Sequence, residues 1–181
     1  DVLRKGRAWA SLRPWQFSVG YGLSSHYLDG AGLQHWGELS LRRTWGSLFA
    51  RLKVGGTQSQ FLATESRVTH QEVRVALAAG WQWPAWNVLF SLGVEPQAAF
   101  AQQWVQRDSR EQIQRVFGVS EPRRTATAWG GAAVVQADLP FSERWVVSAE
   151  LSGAVLGFSR WDGTIAWRFV PRGAVSLGLR F

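Results

Sequence analysis

The segment from Trp15 to Ser24 alternates between two kinds of residue for ten positions without a break. One register holds Trp15, Phe17, Val19, Tyr21 and Leu23, and the other holds Gln16, Ser18, Gly20, Gly22 and Ser24. Successive side chains of a β-strand point to opposite faces of the sheet. The segment therefore predicts a strand with one large apolar face and one small polar face.

Seven later segments repeat this alternation, and with the first they predict eight strands. They cover residues 37–42, 48–55, 72–82, 86–95, 128–139, 145–155 and 174–181. No stretch approaches the roughly 20 continuous apolar residues of a membrane helix, but a membrane strand needs only about 9–11 residues that are apolar on one face. An even number of such strands is typical of an all-β, eight-stranded antiparallel up-and-down transmembrane β-barrel, which we assign to residues 15–181.

The connections between these segments alternate in length. Short turns are expected near residues 43–46, 83–85 and 140–144, and longer loops at 25–34, 57–71, 98–124 and 156–172. The last connection has an alternative, a tight hairpin at Trp161-Asp162-Gly163 between extended strands. Short turns at one end and long loops at the other match the periplasmic and extracellular ends of an outer-membrane barrel.

Two groups of residues indicate which face of the strands meets lipid. Ionisable residues of both signs lie on the small face, where they can pair across a narrow lumen: Glu38, Arg42, Arg51, Lys53, Glu72, Arg74, Glu95, Asp138, Glu150 and Arg180. Aromatic residues gather at or beside the short-turn ends, as in the girdle at a membrane–water interface: Trp15, Trp45, Trp81, Trp83, Trp86, Phe141, Trp145 and Phe181. We therefore expect the apolar face outward and a filled polar lumen without a wide pore. The alternative is a soluble barrel whose aromatic residues cap an interior core.

The chain ends in Val175-Ser176-Leu177-Gly178-Leu179-Arg180-Phe181, an alternating segment that finishes in an aromatic residue. This ending resembles the C-terminal assembly signal of outer-membrane β-barrels, and the span from Trp15 to Phe181 resembles the small barrels of the OmpA, OmpX and OmpW type. The resemblance implies a place in the outer membrane of a Gram-negative bacterium, insertion by the barrel assembly machinery, and both termini in the periplasm. Because the chain has no Met, we expect that a signal peptide has been removed.

The chain is basic, with a formal charge of +7, and 18 of its 20 basic residues are Arg. No run of Lys or Arg exceeds two residues, which disfavours nucleic acid and favours lipopolysaccharide phosphates as the anionic partner. The longest connection holds Arg107, Arg110, Arg115, Arg123 and Arg124. It is either a contact surface for lipopolysaccharide or a partner protein, or a solvated loop. Residues 1–14 are a basic segment expected on the periplasmic side, either as an amphipathic helix, as a partner contact or as a tail.

The three His residues, His26, His35 and His70, are expected in the long loops or at the strand ends beside them. Ser24, His26 and Asp29 are residue types used by hydrolases and acyltransferases, and small barrels that modify lipid A place such groups on this rim. The alternative is that they are solvated loop residues. Because the His spacing fits no metal-ligand pattern and the chain has no Cys, no metal or cofactor is predicted.

The sequence therefore leaves three functions open. The leading hypothesis is a non-enzymatic outer-membrane barrel, an anchor or scaffold whose loops or N-terminal segment bind another envelope component. The first alternative is a lipid-A-modifying enzyme with rim residues near His26. The second is a narrow OmpW-like channel for small hydrophobic molecules.

Overall fold

The computed structural model describes residues 13–25, 32–63, 66–105, 123–159 and 163–181. It contains eight strands: β1 Trp15–Ser25, β2 Leu33–Trp45, β3 Leu48–Ala63, β4 Ser66–Ala85, β5 Val88–Val105, β6 Arg123–Pro140, β7 Trp145–Ser159 and β8 Ile165–Arg180. Each strand pairs antiparallel with its neighbour in sequence, and β8 pairs with β1, so the sheet closes into a barrel. The predicted fold class and strand number are confirmed. In the described ranges, no helix is long and apolar enough to cross a membrane.

One end of the barrel, called the turn end below, carries three short turns and the junction of the first and last strands. Two-residue turns that contain Gly46 and Trp86 join β2 to β3 and β4 to β5. Both residues have a positive φ, 60° and 54°, which two-residue hairpins need. Residues 141–144 form the third turn. Phe181 exchanges two backbone hydrogen bonds with Trp15, at 3.0 and 3.2 Å, so the last residue fastens the final strand to the first.

At the opposite end, called the loop end below, the strands run further than the sequence predicts. The loop predicted at 57–71 is wrong, because β3 and β4 occupy almost all of it and pair there. The loop predicted at 98–124 is wrong at both of its ends, which belong to β5 and β6. The loop predicted at 156–172 is wrong at both of its ends, because β7 and β8 stay paired as far as Ser159 and Ile165. This agrees with the extended strands of the hairpin alternative, whose turn residues Trp161 and Asp162 lie outside the described residues.

A row of polar side chains explains why apolar alternation stops while the strands continue. Four partnered positions on the outward face of β3 to β6 are occupied by Gln58, Gln71, Gln102 and Thr125. Gln71 Nε2 donates to Gln58 Oε1 at 3.1 Å. The outward positions two residues closer to the turn end include the apolar Val73 and Phe100. The outer wall therefore changes from apolar to polar at this row, although backbone pairing does not change.

From the polar row to the loop end, β3 to β6 form what we call the projecting sheet, residues 58–63, 66–71, 102–105 and 123–125. β2 leaves β3 after the pair Gly37–Gly56, and β7 joins β6 only from Ala128. No described residue pairs with the outer edges of the projecting sheet. It therefore stands out from the barrel with two edges that are open in the described structure.

The large apolar face points outward and the small polar face points inward, as expected. Phe17 and Val19 are 42% and 54% exposed, whereas Arg51 and Glu150 are each 6% exposed. On the outward face of β6, Trp129 and Leu139 lie ten residues apart. At a rise of about 3.3 Å per residue and a tilt of about 40°, this separation spans about 25 Å of wall, the height of the apolar band in outer-membrane barrels.

Candidate functional site

Four ionisable side chains meet in the middle of the lumen and are called the central quartet below: Arg51, Lys53, Glu95 and Glu150. Alternation puts both cations on the inward face of β3, while the carboxylates come from β5 and β7. Lys53 Nζ lies 2.8 Å from Glu95 Oε2 and 2.6 Å from Glu150 Oε1. Arg51 contacts the same two carboxylates at 3.3 and 2.6 Å. Because each cation binds both carboxylates, the quartet ties three strands together across the barrel.

A second group connects the quartet with the turn end. Arg42 of β2 donates to Asp138 Oδ2 and to Gln82 Oε1, both at 2.8 Å. Gln136 donates to Asp138 Oδ1 at 2.5 Å and accepts a hydrogen bond from Arg51 at the same distance. Charge-assisted hydrogen bonds of this kind are about twice as strong as neutral ones. The lower lumen is therefore one connected network rather than a set of isolated pairs.

Toward the loop end, the fully buried Trp36 of β2 lies among charged side chains. The guanidinium carbon of Arg74 is 4.3 Å from the Trp36 ring centroid, and that of Arg172 is 5.5 Å away. Arg172 forms an ion pair with Glu38. Trp36 Nε1 donates to the Ser24 hydroxyl at 2.7 Å. The indole ring therefore contacts both guanidinium groups, and these cation–π contacts offset part of the cost of burying the two charges.

His70 belongs to this upper part of the lumen, so the prediction that it lies in a long loop or at an adjoining strand end is wrong. It sits within β4, is fully buried, and lies 3.3 Å from Glu72 Oε2. Gln103 Nε2 lies 3.2 Å from its Nδ1. Arg74 pairs with Glu72 at 2.8 Å. The misplacement has the same cause as the loop error, because β4 begins several residues earlier than its apolar alternation does.

The buried charges of the described lumen nearly balance. Six cations and five carboxylates are buried there: Arg42, Arg51, Lys53, Arg74, Arg172, Arg180, Glu38, Glu72, Glu95, Asp138 and Glu150. One layer differs, because Ala132, Val134, Ala154, Leu156 and Val170 pack together as an apolar cluster inside the barrel. Polar pairs and this cluster together fill the cross-section. Among the described residues, no three His, Asp or Glu side chains are grouped as metal ligands would be.

No protein-family model and no curated protein sequence matches the chain. Solved structures match it over most of its length. Ail, the attachment invasion locus protein of Yersinia pestis, is 17% identical with a TM-score of 0.57, and the match covers 92% of this chain and 97% of Ail. Ail was also solved with the heparin analogue sucrose octasulfate, and that structure matches at 17% identity with a TM-score of 0.55, over 92% of this chain and 97% of its own.

Two further barrels match equally well. A major outer membrane protein from Thermus thermophilus is 15% identical with a TM-score of 0.57, over 92% of this chain and 99% of its own. Neisserial surface protein A is 11% identical with the same TM-score, over 92% and 94%. This chain has the fold of the small outer-membrane β-barrels. At such identities the likeness concerns the fold alone, so function is argued from this chain's own residues.

The residues predicted from sequence fall on two surfaces of this outer-membrane-type barrel. All ten predicted lumen residues are buried on inward faces. The predicted girdle aromatics lie outside at the turn end, where Trp15 is half-buried and the other seven are exposed. Arg43 contacts two of them, with its guanidinium carbon 5.0 Å from the Trp15 ring centroid and 4.9 Å from that of Trp45.

The rim residues are only partly placed by the structure. Ser24 is buried and its hydroxyl accepts the hydrogen bond from Trp36, while His26 and Asp29 lie outside the described residues. His35 lies on the outward face of β2, where it contacts the Tyr21 hydroxyl.

The predicted loop arginines divide in the same way. Arg107, Arg110 and Arg115 lie outside the described residues. Arg123 and Arg124, expected in the loop, are instead the first residues of β6. The prediction placed the strand start too late, because Thr125 and Thr127 on the outward face give no apolar alternation.

Sequence reasoning missed Arg172 and Trp36 as lumen residues. The alternation that predicts β8 was read only from residue 174, although Arg172 continues the inward register of Ala174 and Arg180. Trp36 was missed because a large aromatic on the inward face contradicts the rule that this face is small. The cavity beside Ser24 and Gly55 accommodates the ring, since Trp36 lies 3.6 Å from the position of a Cβ at Gly55.

Proposed function

We propose that this chain is an integral outer-membrane barrel that serves as an anchor and binds an anionic envelope component, the phosphates of lipopolysaccharide, at its loop end. The filled lumen supports a surface function, because it leaves little room for a wide pore. In such barrels the binding residues usually lie on segments that extend beyond the apolar band and are positioned by the rigid barrel. The projecting sheet is the most extensive described part of that kind.

The observation that carries this proposal is the one-sided charge of the projecting sheet. Its described residues include Arg67, Arg123 and Arg124 and contain no Asp or Glu. Arg67 and Arg123 are exposed, and Arg124 is half-buried. Backbone pairing places these residues on paired strands rather than on a loop. Guanidinium groups present donor pairs that match phosphate oxygens, so a fixed set of them without carboxylates favours an anionic ligand.

The complex of Ail with sucrose octasulfate shows that a barrel of this fold has been solved with a highly sulfated ligand. Sulfate and phosphate esters share charge and acceptor geometry, so that complex supports an anionic ligand as the class to test. Its weight is limited to the fold because Ail is 17% identical to this chain.

Two double variants with the same loss of charge test the proposal. Arg67→Gln with Arg123→Gln removes two arginines from the loop end, and Arg13→Gln with Arg144→Gln removes two from the turn end. Binding of detergent-solubilised protein to immobilised lipopolysaccharide is measured at low and high salt. We expect the loop-end double to bind roughly fivefold more weakly and with less salt dependence. Equal weakening by both doubles, or unchanged binding by the loop-end double, contradicts the proposal.

A second candidate function, passage of small hydrophobic molecules, is favoured by one observation. A groove of about 590 Å³ lies on the outer wall across β6, β7, β8 and β1, and its lining includes the small residues Ala133, Gly153 and Gly173. The lining reaches Ser24 and Arg172, which face the lumen. Uptake of a hydrophobic dye by liposomes, compared between wild type and Gly153→Leu, tests this function. Equal uptake by both proteins, or none above protein-free liposomes, argues against it.

The lipid-A-modifying alternative remains a separate prediction. Ser24 would have to give up its hydrogen bond with Trp36 to act as a nucleophile. Mass spectrometry of lipid A from cells that express wild type or His26→Ala is the direct measurement. Identical lipid A in cells with and without the wild-type protein removes this alternative.

A further inference from the structure

Arg43 is an exception on the outer wall. Between the turn-end aromatics and the polar row, the outward positions of the described strands carry apolar, small or uncharged polar residues and His35, and Arg43 is the one permanently charged side chain among them. It lies two residues from the turn end of β2. A charge on the lipid-facing wall of a barrel is unfavourable near the bilayer centre and is tolerated at the interface, where headgroups are in reach. Arg43 therefore lies at a depth where an anionic lipid headgroup can reach its guanidinium.

The surroundings of Arg43 hold its guanidinium in place and leave its N–H groups available. Trp15 is its partner across the β1–β2 ladder, and Trp45 follows on the same face of β2. The two rings lie about equally far from the guanidinium carbon, at 5.0 and 4.9 Å. No described residue accepts a hydrogen bond from this side chain or forms an ion pair with it. Contact with ring faces leaves the in-plane N–H donors of a guanidinium free to bind oxygen atoms.

On the side of Arg43 that faces β3, the outward side chains are short. Its partner on β3 is Ala50, which in turn pairs with Ala79 on β4. These residues are too short to cover the guanidinium from that side. The rings of Trp15 and Trp45 therefore form one side of a shallow site, and the two alanines form its floor. The guanidinium of Arg43 supplies the charge of the site.

We propose that Arg43, Trp15 and Trp45 bind the phosphodiester of a glycerophospholipid in the leaflet at the turn end. The guanidinium donates to two phosphate oxygens, and the acyl chains lie against the alanine floor and the neighbouring apolar wall. Indole rings favour this depth because they combine an apolar body with an N–H donor. The inference rests on the proposed membrane location but is independent of the loop-end function.

Native mass spectrometry of the protein in a neutral detergent tests this site, with phosphatidylglycerol as the titrated lipid. The variants are Arg43→Gln, Arg43→Lys and, as the matched control, Arg144→Gln, an exposed arginine in the turn at residues 141–144. Diacylglycerol with the same acyl chains and inorganic phosphate are titrated in parallel. Diacylglycerol lacks the phosphodiester, whereas inorganic phosphate lacks the acyl chains.

We expect Arg43→Gln to bind phosphatidylglycerol roughly tenfold more weakly, because it loses a charge-assisted contact. The affinity of Arg43→Lys for phosphatidylglycerol is expected to lie between those of wild type and Arg43→Gln, since a lysine keeps the charge but not the paired donors. Arg144→Gln should bind as wild type does, and diacylglycerol should not distinguish wild type from Arg43→Gln. Unchanged lipid binding by both Arg43 variants overturns the inference. So does inorganic phosphate that binds as tightly as the lipid, because the acyl chains would then contribute nothing.

Failure of the membrane location itself has a different signature. If the wild-type protein does not insert into phospholipid vesicles, the membrane proposal fails and this inference fails with it. If all variants insert equally and bind lipid equally, this inference alone fails.

Discussion

Replacement of Glu150 by Gln should destabilise the barrel from its centre. In the central quartet, two cations and two carboxylates bind each other, so the group is neutral as a whole. Glu150→Gln keeps the shape of the side chain and removes one negative charge. Arg51 and Lys53 then share Glu95 as their carboxylate partner, in a site where all four side chains are at most 6% exposed. The cost comes mainly from a buried positive charge without compensation.

The magnitude follows from the contacts that are lost. Glu150 makes two ion-pair contacts of 2.6 Å, one with each cation. Charge-assisted hydrogen bonds contribute about 1.5–3 kcal/mol each, and removal of one partner from a buried pair typically costs about 3–5 kcal/mol. The amide oxygen of Gln still accepts one hydrogen bond. We therefore expect the free energy of unfolding to fall by about 3 kcal/mol.

A second substitution separates charge balance from packing. Lys53→Met alone should also be destabilising, because it leaves two carboxylates with one cation. The double variant Lys53→Met with Glu150→Gln restores neutrality around Arg51 and Glu95. The double variant should therefore lose about 1.5–3 kcal/mol less than the sum of the single losses, within the range of coupling energies between contacting residues.

The assay is reversible unfolding by guanidinium chloride in lipid vesicles, followed by tryptophan fluorescence. Glu143→Gln is the control for loss of a carboxylate at the surface. Glu143 lies 3.8 Å from Arg13 with its side chain 76% exposed, and pairs of this kind contribute about 0–1 kcal/mol. Two results would refute the reasoning: a Glu150→Gln loss no larger than that of the control, or single losses that simply add in the double variant.

Further predictions concern the lumen and the close contacts between strands. Because side chains fill the cross-section, purified protein in planar bilayers should show low conductance, and large stable single-channel currents would contradict this. Gly80→Ala should reduce the folded fraction and the stability by about 2 kcal/mol or more, since the new Cβ would meet the Leu92 carbonyl and lie 2.5 Å from Gly93 Cα. Gly37→Ala is the matched control, because nothing lies within 4 Å of its Cβ position. Urea titrations of both variants in micelles measure the difference, and equal losses would show that the contact at Gly80 relaxes.

Strand number, closure and the sidedness of the wall could be read from the sequence because one physical constraint acts on every strand. A segment that separates two environments must alternate, and Trp15 to Ser24 does so at all ten positions. The paired charges of the lumen were predictable as a set for the same reason. Their particular partners were not, because Arg51 and Glu150 are 99 positions apart in the chain and meet only through the register of the closed sheet.

The errors arose where that constraint no longer acts. From the polar row toward the loop end, outward positions of β3 and β4 such as Gln58, Thr69 and Gln71 are polar. The apolar alternation therefore stops there, although the two strands stay paired. His70 was misplaced for this reason. Arg172 was missed because Pro171 interrupts the apolar register in the middle of β8. Backbone hydrogen bonding, which does not depend on side-chain polarity, determines where the strands end.

This distinction also indicates where function should be sought in such a barrel. Between the turn-end aromatics and the polar row, contact with lipid explains nearly every residue on the outward face. Inside the lumen, mutual neutralisation of charge explains most of the remaining residues. Residues that neither requirement explains are the informative ones, because a departure from a local rule needs a compensating gain elsewhere. Arg43 on the lipid-facing wall is one such departure, and the arginines of the projecting sheet, which have no described acidic neighbours on that sheet, are another. Both departures are cations near opposite ends of the barrel, which is the arrangement expected of a protein that contacts anionic groups at both faces of a membrane.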